Sequence, residues 1–221
     1  IQADAEMLSM VIECLKNTGL QNFQLSIGQV EFFNGLCAEA GLDNDTENEL
    51  RDYISGKNYF AAENLLASKN IPEPYRTNLL KVTDMFGDIE SLKACLALVN
   101  NDLSKNAIHR LEAIYEVLKL YGVEENVSFD MGMLSKYHYY TGIIFKAYTY
   151  GLGDAIVTGG RYNKLIQKFG KEAAAIGFAV VVDDMLEALN RQKVVLDITE
   201  NKQTIYYTDK NYKEQLAKAI E

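Results

Sequence analysis

The chain has 221 residues, of which 48% are hydrophobic and 24% are charged, and its formal net charge is −9 at pH 7. This length supports one large domain or a domain that carries an insertion. The negative charge opposes a phosphate backbone, so we expect no general binding to nucleic acid. No apolar run reaches the roughly 18 to 20 residues that cross a bilayer, and no leader pattern opens the sequence, so we expect a cytoplasmic protein.

The cysteines and histidines of this sequence do not form the pattern of a metal site. Cys14, Cys37 and Cys95 are odd in number and far apart, which is typical of reduced thiols rather than of disulfides. The two histidines, His109 and His138, do not join them at the spacing of a zinc site. We therefore predict no metal and no other cofactor, and no serine lies in the setting that a catalytic triad requires.

Residues 1–42 predict part of a larger core, in the order helix, strand, helix. Apolar residues recur at helical spacing over 4–16, and Gly19 suits the left-handed turn that ends a helix. Residues 23–28 alternate between apolar and polar side chains, which indicates a half-buried strand. Helical spacing then returns over 30–40.

Residues 43–122 are almost entirely helical in pattern, and we predict a helical insertion or a second small domain. Thr46 and Glu49 form a capping box near its start. The turn at 71–74 opens a helix that we expect to end near Gly87. Two further helices are predicted over 89–99 and 104–121.

Residues 123–192 return to strands and complete the predicted core. Runs rich in β-branched and aromatic residues lie at 127–132, 141–151, 153–159 and 174–182. Their short connections favour antiparallel pairing, since parallel strands need longer crossovers. Residues 193–221 predict the start of a small C-terminal α/β extension, with a strand at 204–209 and then a helix. The predicted class is α+β, with an antiparallel sheet flanked by helices.

Gly159, Gly160 and Arg161 are the strongest candidates for a ligand site. Paired glycines let another group approach the main chain closely, and an arginine offers a fork of donors to a carboxylate or phosphate. Tyr139 and Tyr140 lie on a neighbouring predicted strand and should point to opposite faces, so at most one of them faces a given pocket. The pattern suits a small anionic or zwitterionic ligand, and it suits equally a glycine hairpin with an exposed arginine.

Four stretches of this sequence carry a family resemblance. YYTG at 139–142 and GGRYNKL at 159–165 resemble the two histidine-recognition motifs of histidyl-tRNA synthetase, a class II aminoacyl-tRNA synthetase. AIGFAVVVDDMLEAL at 175–189 resembles the third class-defining motif, and ADAEML at 3–8 resembles the helix after the second. The resemblance covers about two thirds of the chain in the right order.

The resemblance implies a class II fold and a pocket that recognises histidine. It implies that Tyr139, Tyr140, Gly159, Gly160 and Arg161 line this pocket, while Tyr162 packs a short helix. The first two class-defining motifs would lie upstream of the first residue, so the resemblance also implies a fragment of a longer protein.

Two positions depart from the synthetase pattern. The synthetases carry an arginine four positions ahead of the double tyrosine, where it stabilises charge during adenylate formation, and the matching position here is Ser135. Their third motif ends in an arginine that holds ATP, and the matching position here is Asp184. Electrostatic stabilisation is commonly the largest catalytic term, so we expect a pocket that keeps amino-acid recognition without the reaction.

This combination resembles the regulatory subunits of ATP phosphoribosyltransferase, the synthetase-like proteins that partner the short catalytic form. The resemblance implies a non-catalytic subunit of a hetero-oligomer in histidine biosynthesis, with histidine as an effector. The histidine site is either the synthetase-like pocket or an interface between subunits. Two alternatives remain at this stage: a divergent histidyl-tRNA synthetase whose arginines come from elsewhere, and an interaction scaffold with an empty pocket.

Overall fold

The computed structural model describes residues 1–135, 137, 139–195 and 205–220. The helices are α1 (Gln2–Asn17), α2 (Val30–Glu39), α3 (Asn44–Ser55), α4 (Tyr59–Ser68), α5 (Glu73–Lys81), α6 (Ser91–Ala97), α7 (Asp102–Tyr121), α8 (Val182–Arg191) and α9 (Tyr212–Ile220). The strands are β1 (Phe23–Gln29), β2 (Phe86–Gly87), β3 (Val127–Asp130), β4 (Ile143–Thr149), β5 (Val157–Arg161) and β6 (Ile176–Val180). No helix within these ranges is long and apolar enough to span a membrane.

The strands form one sheet in the order β2-β3-β1-β4-β5-β6. The antiparallel pairing of β4, β5 and β6 confirms the prediction from their short connections. The pair β1 and β3 is parallel instead, which makes the sheet mixed. The chain between these two strands runs through α2 to α7, and this long crossover is what a parallel pair requires.

The two faces of the sheet differ in what covers them. Phe145 and Ala147 point to the helix face and are fully buried, and on the same face the ring of Phe129 meets that of Tyr115 on α7 with centroids 5.9 Å apart. We call the opposite side the open face. Lys146 and its cross-strand partner Thr158 lie there, half-buried and exposed respectively.

The helical region 43–122 packs onto the rest of the fold. Helix α7 contacts both α1 and α2, and α5 contacts α2. One cluster of buried side chains runs from α1 through the sheet into the helical region, where it includes Leu50 and Ile54. The sheet and the helices therefore share a hydrophobic core, while the fourfold division of the chain at 42, 122 and 192 stays a prediction.

Three local predictions are wrong. Helix α5 ends at Lys81 rather than near Gly87, because Phe86 and Gly87 pair with β3 as a strand. Asp43 rather than Thr46 caps α3: its carboxylate accepts the main-chain N–H of Thr46 at 2.7 Å. Residues 205–208 do not form the predicted strand, and the first residue of that prediction lies outside the described residues.

A buried carboxylate joins the first helix to the sheet. Asp4 on α1 is fully buried, and one of its oxygens accepts the Nε–H of Arg161 on β5 at 2.7 Å. The other oxygen binds the guanidinium of Arg110 on α7. A buried charge is stable only when it is paired and hydrogen-bonded, so these three elements hold one another in place.

Asp4→Asn tests this connection. The variant leaves two arginines without their counter-charge, and the free energy of unfolding should fall by roughly 3 to 5 kcal/mol, the range for breaking a buried pair. Urea denaturation followed by circular dichroism measures the change. Glu116→Gln is the matched control, because Glu116 pairs with Lys119 at an exposed position of α7 and should contribute far less. Equal losses in the two variants would contradict the assignment.

Candidate functional site

The double tyrosine lies in the loop that precedes β4 and not on a strand. Tyr139 and Tyr140 are side by side, with ring centroids 4.4 Å apart and hydroxyl oxygens 3.3 Å apart. The prediction that they point to opposite faces is wrong, because residues outside a strand do not follow its alternation. Tyr137 stacks on Tyr139 at 5.6 Å, and Tyr162 meets the same ring edge-on at 6.0 Å. Three tyrosines of the loop and Tyr162, which follows β5, thus form one aromatic cluster.

The paired glycines are needed for close packing inside the protein. A Cβ at Gly160 would lie 2.6 Å from the ring of Tyr140, and one at Gly159 would lie 2.4 Å from the ring of Phe145. The close approach that the sequence predicted is confirmed, and the groups that approach are side chains of the chain itself. Gly160 therefore seats Tyr140 against the sheet.

Arg161 is placed differently from the prediction. Its guanidinium lies on the helix face, where it binds Asp4 and donates from Nη1 to Asn163 Oδ1 at 3.0 Å. Its side chain is 12% exposed, so the alternative of an exposed arginine is also wrong. The reason is register: Arg161 is two residues from Gly159 and shares its face, opposite to the face of Lys146 and Thr158.

A cavity of about 360 Å³ opens between the tyrosine loop and the open face of the sheet. Its lining includes Ser135, Tyr137, Tyr140, Ile144, Lys146 and Thr158. Gly159 lines it through the main chain, and Ser55 reaches it from the end of α3. The volume falls within the range of small-molecule sites, and the hydroxyl groups around an apolar floor suit a small polar ligand.

The two departures from the synthetase pattern lie in different places. Ser135 lines the cavity, so a short hydroxyl stands where the resemblance called for an arginine. Asp184 lies in the first turn of α8 beside Asp183. Carboxylates stabilise the first turn of a helix through its dipole, and two of them there disfavour a bound phosphate.

A second, smaller cavity of about 190 Å³ adjoins the first. Ser135, Tyr137 and Tyr140 line both, and the second cavity adds Asn34 of α2 together with residues of α3, among them Glu47, Asn48 and Arg51. Neither Arg51 nor Tyr137 was named from the sequence. The resemblance assigned Tyr162 to packing a short helix; in the structure Tyr162 lines neither cavity, and its ring meets that of Tyr139 edge-on. Arg51 comes from another part of the chain and carried no local signal.

Burial raises the pKa of two side chains in this part of the fold, Tyr140 and Asp130. Burial raises the pKa of the Tyr140 phenol, and its hydrogen bond with Tyr139 raises it further. Burial also raises the pKa of Asp130 at the end of β3, an effect that two main-chain N–H groups and the charge of Lys146 partly offset. Tyr140 therefore stays protonated and neutral at neutral pH, as a hydrogen-bonding hydroxyl.

No cluster of three metal-ligating side chains occurs among the residues that the structure describes. His138, one of the two histidines considered for such a site, lies outside them.

The fold and the cavity define a class II aminoacyl-tRNA synthetase-like protein: a sheet with helices on one face and a tyrosine-lined pocket on the other. The family model described as histidyl-tRNA synthetase matches residues 1–185. The chain belongs to this family.

Within this family, the chain is similar to proteins named as regulatory subunits. The ATP phosphoribosyltransferase regulatory subunit of Acetivibrio thermocellus is 39% identical over 193 residues, which are 87% of this chain and 46% of the relative. A crystal structure of an ATP phosphoribosyltransferase regulatory subunit/histidyl-tRNA synthetase from Bacillus halodurans superimposes with a TM-score of 0.81 at 32% identity, over 85% of this chain and 50% of that one. The chain thus spans about half the length of the relatives it matches.

A second structure shares the fold at lower identity. It is titled as an ATP phosphoribosyl transferase complex from Thermotoga maritima, and the match has a TM-score of 0.60 at 18% identity, covering 80% of this chain and 60% of that one.

Gly160→Ala tests how the glycine seats Tyr140. The added methyl group would overlap the ring and the carbonyl oxygen of Ile143, which lies 2.8 Å from the Cβ position, and overpacking of this kind costs about 1–3 kcal/mol. Thermal unfolding measures the loss. Gly153→Ala is the control, because a Cβ there meets nothing within 4 Å. Unchanged stability in Gly160→Ala would show that Tyr140 does not rest on this glycine.

The raised pKa of Tyr140 predicts a loss of stability at alkaline pH. Below the pKa of about 10 of an unfolded tyrosine, both states are protonated and the group adds no pH dependence. Above that pH the unfolded chain ionises first, so folding stability falls. Tyr140→Phe should flatten this fall between pH 9 and 11 in urea denaturation, and Tyr150→Phe, at an exposed ring, should not. The same slope in all three proteins would refute the shift.

Proposed function

We propose that this chain is the synthetase-like part of a regulatory subunit of ATP phosphoribosyltransferase, which acts in the cytoplasm on the first step of histidine biosynthesis. It carries no catalytic residue of its own and binds histidine as an effector. The observation that carries the proposal is Ser135: the cavity retains Tyr140 of the first histidine motif, while the position of the synthetase arginine holds a neutral hydroxyl.

The names of the relatives support this function over aminoacylation. The relative from Acetivibrio thermocellus is named as a regulatory subunit, and the Bacillus halodurans structure carries both names in its title. Adenylate formation develops negative charge on a phosphate, and removing a single stabilising donor from such a site commonly costs about 100- to 1,000-fold in rate. A cavity with serine at this position is therefore better suited to binding than to reaction.

The proposed partner is the short-form catalytic subunit of the same enzyme. The Thermotoga maritima structure is titled as the complex of this transferase, and the fold of this chain matches a chain within it. Histidine would act by binding one state of the assembly better than another, and the size of the regulation equals that difference in affinity. In this proposal Tyr140 and Gly159 line the histidine pocket, Tyr139 and Gly160 hold Tyr140 in place, and Arg161 serves the fold.

Two assays on the complete gene product that contains this chain test the function. The first measures histidine-dependent exchange between ATP and pyrophosphate, and we expect none. The second measures phosphoribosyl-ATP formation by a short-form catalytic subunit, which we expect to rise strongly on addition of the protein and to fall again with histidine.

The combination of the two assays separates the competing functions. Histidine-dependent exchange would overturn the proposal in favour of a divergent synthetase. Absence of both exchange and stimulation would favour a scaffold protein. Ser135→Arg is an informative variant. Exchange in this variant would require the remaining catalytic groups of a synthetase to be present, and the proposal expects no exchange.

A further inference from the structure

The smaller cavity is lined by an arginine, Arg51, whose hydrogen-bond donors are only partly used by the protein. Arg51 is 6% exposed. Its Nη2 donates to Asn34 Oδ1 and to Glu47 Oε1, both at 2.7 Å, and its guanidinium carbon lies 5.0 Å from the centre of the Phe33 ring. These contacts position the guanidinium firmly against α2.

Within the part of the chain that the structure describes, the remaining donors of Arg51 have no hydrogen-bond partner. Its Nε is buried and makes no hydrogen bond, and the contacts described for the side chain use Nη2 alone. A guanidinium has five N–H donors, and leaving them unsatisfied in a buried site is costly. Among the described residues, Arg51 is also the one cation that lines this cavity. Because Arg51 lines the cavity and has donors to spare, a ligand bound there can offer it an acceptor.

The charge balance indicates what kind of ligand this is. Glu47 forms an ion pair with Arg51 and lines the same cavity, so the two side chains together are neutral. A phosphate carries up to two negative charges and would be repelled by the carboxylate of Glu47. The head group of a free amino acid carries one charge of each sign, and it matches the pair: its carboxylate meets the guanidinium and its ammonium meets the carboxylate.

The position of the pair connects it to the tyrosine cavity. Ser135, Tyr137 and Tyr140 line both cavities, so a molecule can extend from one into the other. The smaller volume suits a head group, and the larger one suits a planar side chain among tyrosines. Ser135 is a short side chain in the lining of both cavities, and Arg51 of α3 supplies a cation to the smaller one.

We propose that Arg51 and Glu47 bind the carboxylate and the ammonium of a free α-amino acid whose ring lies in the tyrosine-lined cavity. The proposal rests on the proposed function for the identity of that amino acid, histidine. It assigns specificity for the head group to the helical region 43–122. Binding then joins α3 to the sheet, since the ligand contacts both.

Binding of three small molecules to the complete gene product tests the carboxylate contact. Equilibrium dialysis should show that L-histidine binds at least about tenfold more tightly than histamine, which lacks the carboxylate. Arg51→Met should abolish this preference and leave histamine affinity within about twofold of the original. Arg76→Met, at a half-buried arginine of α5 that pairs with Glu73 and lies outside both cavities, is the matched control and should keep the preference.

The ammonium contact has an independent readout. Imidazole propionate has the carboxylate of histidine and lacks the ammonium, and we expect it to bind at least about tenfold more weakly than L-histidine. Glu47→Gln should narrow that gap and leave the preference over histamine. These ratios distinguish a lost contact from a misfolded variant, which loses all ligands together, and circular dichroism checks the fold.

Retention of both preferences in folded variants would overturn the inference, and so would a wild-type protein that binds L-histidine no better than histamine. Failure of the proposed function is a separate result, because stimulation of the catalytic subunit is measured in a different assay and requires no ligand in this cavity.

Discussion

The buried carboxylate of Asp4 is the interaction on which the geometry of the site depends. It occupies the junction of α1, α7 and β5, where arginines from two elements share its oxygens. A buried charge is stable only with such partners, so the ion pairs fix α1, α7 and β5 relative to one another. The position of β5 in turn determines where Gly160 lies, and Gly160 seats Tyr140. A helix-face ion pair thereby supports a pocket on the opposite face.

In the proposed function recognition persists without chemistry, and the two faces of the sheet have separate roles in it. On the helix face, the buried rings of Phe145 and Phe129 and the ion pairs of Asp4 hold the sheet and the helices together. The open face carries hydroxyl groups from Ser135, Tyr140 and Thr158. Hydroxyl groups bind polar ligands well but do not stabilise a developing anion as a guanidinium does. In the proposed function, binding and catalysis therefore depend on different positions of one fold.

The helical region takes part in the site rather than standing apart from it. Its core is continuous with that of the sheet, and α3 brings Ser55 to one cavity and Arg51 to the other. The parallel pairing of β1 with β3 requires a long crossover, and this region supplies it. The crossover that connects β1 to β3 thus also supplies side chains that line the two cavities.

The sequence by itself determined the elements whose signal is local. Local pattern located α1, α2, α7 and the strands β4 to β6, and the GGRYNKL and YYTG motifs marked two segments beside the cavity. The YYTG segment was expected on a strand and lies in a loop. Only the tertiary structure decided which side chains from distant parts of the chain contact one another. Arg161 was expected in the pocket and instead binds Asp4, 157 residues away, and Arg51 entered the site from a helix with no motif. Side-chain spacing within an element follows backbone geometry, whereas contacts between distant elements follow from packing and from the need to pair buried charge.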